Sequence, residues 1–283
     1  MTPMQRRPLL RLVPTASVQF HEHPERNRTL RLLQRIRAEK LLRNPPIVAQ
    51  LDAERYLLLD GANRVSSFAE LGYTQCPVQI IDYGDPSVQL KGWHHMLLQA
   101  EQLHLEAEYR SIPGVELRPI GPEALPALLE LRRVFAIFVD ATARCWGLFP
   151  RSARGGFYVG EWIRVLEQVV AAYEGKSVLE RIKLAEYARL PAIFDSLEHQ
   201  IVLFPVLTKI ELLELATQRI QIPTGITRHL VPGRALNMNL DLEFLSALGS
   251  EVERSAHFAR FLDRLEVEGR MRFYEEAVFI LNE

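Results

Sequence analysis

The chain has 283 residues, 48% hydrophobic and 24% charged, with 34 basic and 35 acidic side chains and a formal net charge of −1. This is ordinary globular composition; it excludes a gross polycation, and the length favours two domains over one. The total hides an imbalance: residues 1–43 carry ten Arg/Lys against three Glu, or +7, leaving −8 on the other 240, an asymmetry that marks either an anion-binding region or a solvated helix face.

Residues 26–43 predict a helix with Leu30, Leu33, Ile36 and Leu41 on one face, stopped by Asn44-Pro45-Pro46. Ile47–Gln50 and Tyr56–Leu59 predict a β-hairpin across the polar Asp52–Arg55. Asp60-Gly61 interrupts the apolar run. A helix follows with Val65, Phe68, Ala69 and Leu71 inward, ending at Gly72. Pro77–Tyr83 predicts a buried strand, and Val88 and Leu90 a short one ending near Trp93. Residues 96–109 read as helical, and Ile112-Pro113-Gly114 places a soft domain boundary.

Beyond it come a helix near 122–132, strands near 134–139 and 145–149, and a Gly-rich loop at Arg151–Gly156. An amphipathic helix spans 160–173, with Trp162, Ile163, Leu166, Val169, Val170 and Tyr173 on its apolar side. Ile201–Phe204 is a strand, residues 205–218 lead into a helix, and Met271–Leu281 alternates weakly enough to close a sheet. The mixed order of elements gives an α+β class. The expected domains are residues 1–110 and 115–283. Trp146 and Trp162 read as core.

Cys76 and Cys145 lie in no metal-ligand or CxxC spacing, so the expectation is a reduced, cytoplasmic chain. The first ten residues lack the apolar core of a secretory signal, and no run of 18 apolar residues exists to span a membrane.

Most nucleotide motifs fail. Gly175-Lys176-Ser177 looks like the end of a phosphate loop, yet the required upstream glycine is Val170 and the segment follows a helix rather than a strand. A helix-terminating turn is the simpler reading. Neither His21/His23 nor His94/His95 has the spacing of a helical metal face, and His94 and His95 read as structural groups.

Leu59-Asp-Gly-Ala-Asn-Arg64 does not fail. A buried strand runs into Asp-Gly and a helix starts at once. Helix N-termini present unpaired N–H groups and partial positive charge, where phosphates sit well. Gly61 permits close backbone approach. Arg64 in the first turn opposes the helix dipole unless an anion compensates it. Asp60 suits Mg²⁺ or a substrate amine. From the residues alone, Asp60 as a helix cap and Arg64 as a surface charge stay open.

From Val13 to His95 the sequence resembles the ParB/sulfiredoxin-like fold, whose signature is a strand followed by Asp-Gly-x-x-Arg on a helix. Within it the chain is similar to the free L-serine kinases and the related siderophore-precursor serine kinase. That resemblance rests on His21-Glu22, Asn44–Val48, Leu59–Arg64, Gln79–Tyr83, Trp93, Pro223–His229, Gly233–Leu245 and the terminal segment, about 80% of the chain. Asn63 replaces the histidine usual at its position.

The resemblance implies phosphoryl transfer from ATP or ADP, with Mg²⁺, to the hydroxyl of free L-serine. It makes Glu22 the group that accepts the hydroxyl proton and assigns phosphates to Gly61, Ala62, Asn63 and Arg64. Asp60 is a catalytic group and the Mg²⁺ ligand. Trp93, Thr227, Arg228 and His229 hold the substrate, the C-terminal part bringing 227–229 to a shared cleft. Trp93 as a core residue and 227–229 as a structural turn remain alternatives. The competing function is a ParB-like, ligand-sensing DNA-binding regulator; no convincing helix-turn-helix and the −8 beyond residue 43 weigh against a nucleic-acid partner.

Overall fold

A computed structural model describes residues 7–151, 158–183, 199–247, 249–274 and 278–281. The chain divides into two units, residues 1–89 with 229–283, and residues 90–228. The division therefore does not fall at 110–115. Ile112-Pro113-Gly114 is a turn inside the second unit, between α3 (Leu105–Ser111) and β9 (Val115–Ile120). The C-terminal segment is part of the first unit, a non-local pairing that local composition does not signal.

In the first unit, β1 (Leu10–Pro14), β2 (Val18–Phe20), β4 (Ile47–Gln50), β5 (Tyr56–Asp60) and β6 (Gln75–Ile81) form a five-stranded sheet in the order β1-β6-β4-β5-β2. The predicted hairpin is β4–β5, antiparallel, with a register shift between Ile47 and Val48. Val48, Leu57, Leu58 and Val78 are buried, as expected of central strands covered on both faces.

Helix α1 (Arg26–Glu39) ends earlier than the prolines predict, because Lys40 takes a left-handed conformation and its N–H caps the Ile36 carbonyl. The next residues, β3 (Leu41–Leu42), pair with β16 (Leu240–Asp241). Helix α2 (Ala62–Glu70) packs against α1 and buries Val65 and Phe68. The later part of the unit adds β15 (Arg234–Leu236), which pairs in parallel with β18 (Val278–Leu281), itself antiparallel to β17 (Met271–Tyr274). This bears out the sheet expected near 271–281.

A 17-residue helix, Glu251–Val267, packs Phe258, Leu262 and Leu265 into the same core. Its Ser250/Glu253 capping box fixes the start. The basic face of α1 is largely a solvated one. Arg28 pairs with Glu25, Arg35 and Arg43 share Glu39, and Arg26, Arg31 and Arg37 are exposed.

The second unit is built on an antiparallel sheet in the order β12-β8-β13-β10-β11-β9. Its strands besides β9 are β8 (His94–Leu98), β10 (Ala136–Val139), β11 (Cys145–Pro150), β12 (Val178–Ile182) and β13 (Gln200–Leu203). Residues 94–98 are thus strand, not the start of a helix over 96–109. Met96-Leu-Leu is a short apolar run whose periodicity cannot separate a central strand from a buried helix.

The amphipathic helix is Val159–Ala171, with Trp162, Ile163, Leu166, Val169 and Val170 buried. Gly175, at φ +72°, sits in the turn that follows, so Gly175-Lys176-Ser177 is a helix-ending turn and not a phosphate loop. Trp162 is core and its indole N–H donates to the Phe135 carbonyl at 2.8 Å. Trp146 is not core: it is half-buried with the Arg110 and Arg144 guanidiniums 5.3 and 5.6 Å from its ring.

Residues 152–156 of the Gly-rich loop lie outside the described residues. Cys76 and Cys145 are free thiols, and no described helix is long and apolar enough to cross a membrane.

Candidate active site

The end of β5 is the focus of the first unit, and three successive residues there are held by side chains from other segments. The buried His21 ring donates from Nδ1 to the Leu58 carbonyl. His229 donates from Nδ1 to the Leu59 carbonyl at 3.0 Å, while its Nε2 accepts from the Tyr83 hydroxyl at 2.9 Å. The Asp60 carboxylate takes Arg64 and Arg234. His21 and His229 meet edge to face, with ring centroids 5.4 Å apart.

Asp60 is therefore not the helix cap. Gly61 occupies the cap position at φ +105°, with no side chain bonding back to the first turn. The initial N–H groups of α2 are the kind a helix leaves unpaired. A Cβ on Gly61 would also lie 3.0 Å from the Arg64 guanidinium. Both strain and crowding oppose any side chain there, so Gly61→Ala is expected to lower stability by about 1–3 kcal/mol, read as a shift in the urea midpoint.

Arg64 is not a surface charge either. Its Nη1 donates to the Asn44 and Pro45 carbonyls at 2.9 and 2.8 Å, and its Nη2 lies 3.3 Å from Asp60 Oδ2. The Asn44-Pro-Pro segment thus anchors this guanidinium from behind. Burial raises the Asp60 carboxyl, but the charges of Arg64 and Arg234 outweigh it, and the net shift is downward. Both arginines approach Oδ2.

The Asn63 side chain is an anchor, separate from the backbone N–H that the phosphate expectation concerns. Its Oδ1 accepts from the Glu25 backbone N–H and the Thr29 hydroxyl, both at 3.0 Å. That ties the start of α1, and the His21–Glu25 bend carrying Glu22, to the first turn of α2. Glu22 is half-buried. Burial is the leading influence on His21 and lowers its pKa, opposed in turn by the Glu22 charge, the Leu58 carbonyl and the Asp60 charge. Glu22 and Asp60 thus act on one buried ring.

Trp93, Thr227 and Arg228 belong to the second unit. Trp93 is half-buried rather than core, with the Arg228 guanidinium 4.6 Å above its ring and its N–H on the Ile226 carbonyl. Thr227 opens the strand Thr227–Leu230 just after the turn at Gly225, which has φ +77°. His94 and His95 are structural, as expected: His95 bonds Tyr173 and the Gly225 carbonyl, and His94 accepts from the Phe204 N–H.

The residues that the sequence reading left unassigned are His21, Tyr83 and Arg234. The signal for Arg234 was its position in Pro232-Gly-Arg-Ala-Leu236, a turn glycine followed by a cation at the mouth of an apolar strand. Among the described residues no three His, Cys, Asp or Glu side chains cluster as a metal site.

No family model matches the chain. It is 27% identical over 282 residues to the ATP-dependent L-serine kinase SbnI of Staphylococcus aureus, covering 97% of both chains. An ATP-dependent L-serine kinase of Staphylothermus marinus is 37% identical over 79 residues, 28% of this chain and 31% of that one. Among solved structures, C-terminally truncated SbnI superposes with a TM-score of 0.71 at 22% identity, covering 90% of this chain and 96% of that one. A free serine kinase variant in complex with ADP gives 0.68 at 20% identity, covering 86% and 96%. Along nearly its whole length the chain is similar in sequence to an ATP-dependent L-serine kinase, and its fold is that of the solved SbnI and free serine kinase structures.

Proposed function

We propose that the protein phosphorylates the hydroxyl of free L-serine, with ATP as donor, giving O-phospho-L-serine and ADP. One observation carries most of the weight. The strand–Asp60–Gly61–helix turn is uncapped and rigidly held, with two arginines on its carboxylate, and it occurs in a chain that matches an ATP-dependent L-serine kinase end to end.

Phosphoryl transfer depends on placing groups and neutralising charge. The α2 N-terminus, from Gly61 to Asn63, offers backbone N–H groups to phosphate oxygens. Glu22 accepts the proton as serine Oγ bonds to the γ-phosphorus and the bond to the bridging oxygen of ADP breaks. Asn63 and His21 hold the bend on which Glu22 rides. His229, with both ring nitrogens bonded, positions the end of β5. Trp93, Thr227 and Arg228 are assigned to holding serine or its phosphate.

Asp60 suits Mg²⁺: it is a hard oxygen donor, and the two arginines bond Oδ2 rather than Oδ1. Phosphate oxygens and water would complete the coordination. Bound there, the ion would neutralise phosphate charge.

The experiment offers the purified protein ATP or ADP with L-serine, L-threonine, homoserine or a seryl peptide, and reads the products by mass spectrometry. Phosphorylated L-serine from ATP, with at least tenfold less product from the other acceptors, is the expected result (roughly the discrimination one misplaced methylene gives). Preference for the peptide would overturn the assignment of free serine.

A further inference from the structure

We infer that Arg234 is the cation that turns from Asp60 to a phosphate of the bound nucleotide; this rests on the kinase reading for the identity of the ligand. The two arginines on Asp60 are not equivalent. Arg64 is fixed at its head: one nitrogen is held by two backbone carbonyls and the other by Asp60. Arg234 is fixed at its root.

The buried Gln79 amide reaches both neighbours of Arg234. Its Nε2 donates to the Gly233 carbonyl at 2.8 Å, and its Oε1 accepts from the Ala235 N–H at 2.9 Å. The backbone at 233–235 is thereby locked, while the guanidinium itself meets only Asp60, and a third of the side chain is exposed. Among the described residues, Asp60 is its single hydrogen-bond partner.

That combination is what a phosphate-binding arginine needs. A locked root sets the reach, and a planar fork bonded at one nitrogen keeps its other donors for an anion. Asp60 holds the guanidinium beside the uncapped start of α2, where phosphate binding is favoured. Arg64 cannot turn in the same way without giving up the Asn44 and Pro45 carbonyls. Arg234 is thus the second cationic arm of the site and touches the substrate, and Gln79 is its positioning residue.

Calorimetric titration of the full chain with ATP, ADP and AMP tests this. Arg234→Ala is expected to weaken ATP and ADP by about tenfold to a hundredfold, the range of a hydrogen bond to a charged group, and AMP by less than about threefold. Arg234→Gln, which keeps an N–H donor for Asp60 but loses the charge, is expected to give the same ranking. Equal losses for all three nucleotides, or no loss, would overturn the assignment and leave Arg234 a counter-ion of Asp60.

Assaying the same preparations for O-phosphoserine separates the two readings. Wild-type product with unchanged ATP affinity in Arg234→Ala sinks the arginine and spares the kinase. The expected affinity pattern without wild-type product does the reverse. A wild-type chain that binds no nucleotide sinks both.

Discussion

Replacing Glu22 with Gln lowers the rate of serine phosphorylation by about 10²–10⁴, the usual contribution of a positioned general base, and leaves ATP affinity within about threefold. The substitution keeps the size of the side chain and the bend that carries it. That bend is tied through the Glu25 N–H to Asn63 and through the His21 ring to the Leu58 carbonyl, and neither bond involves the Glu22 carboxylate. What disappears is the acceptor for the serine proton. Steady-state rates and calorimetric ATP binding on one preparation give the answer. A Glu22→Gln protein with full turnover means that the proton goes elsewhere, and a matched loss of ATP binding means that the residue serves the nucleotide.

Acid destabilises the second unit through two buried histidines. His94 and His95 are buried, and burial lowers each pKa from the ordinary 6.5 to about 4. Both are therefore neutral in the folded chain at pH 5–6, where the unfolded chain binds protons on them. Stability is complete above about pH 6.5, falls as the pH drops towards 4, and loses nothing more from these groups below that. Each contributes at most about 3 kcal/mol over the window. In the first unit His21 is shifted the same way and adds to the trend.

Asp60 works over a lower range. Its folded pKa is depressed, so its contribution is present above the unfolded value near 3.9 and is lost below it. Urea unfolding between pH 7.5 and 4 is expected to show the midpoint falling from about pH 6.5. In His95→Gln, which keeps hydrogen-bonding capacity without a titrating ring, the fall is expected to be shallower by up to about 3 kcal/mol. A midpoint unchanged between pH 7 and 5 contradicts the account.

Much of the first unit's site was legible because it is local. The hairpin, Asp60-Gly61 and the helix after it are consecutive, and their turn chemistry and periodicity agree. The site's supports were not legible. Arg234 reaches Asp60 across 174 positions, and His229 reaches Leu59 across 170; neither separation leaves a trace in a window of sequence.

The same holds for the division of the chain. Strands 234–236 and 278–281 complete the unit that begins at the N-terminus, while the turn signal at Ile112-Pro-Gly marks only a corner. The Asn63 side chain is another such support: its amide oxygen accepts from the Glu25 N–H and the Thr29 hydroxyl, 38 and 34 positions away, while the phosphate expectation concerns its backbone N–H. The helix at 251–267 did have a signal, Phe258, Leu262 and Leu265 at helical spacing, but its charged majority masks that narrow stripe. At 94–98 the reverse occurred: three consecutive apolar residues are too short a run to separate a strand from a buried helix.

The central claim is a balanced transfer of one phosphoryl group from ATP to serine. Phosphorus NMR of the purified full chain with L-serine, ATP and Mg²⁺, with Glu22→Gln run alongside, follows both products at once. The account predicts ADP and O-phospho-L-serine appearing in equal amounts with the wild-type chain, and neither at a comparable rate with the variant. ADP accumulating with inorganic phosphate and no phosphoserine, or no turnover by folded, ATP-binding protein, would contradict it.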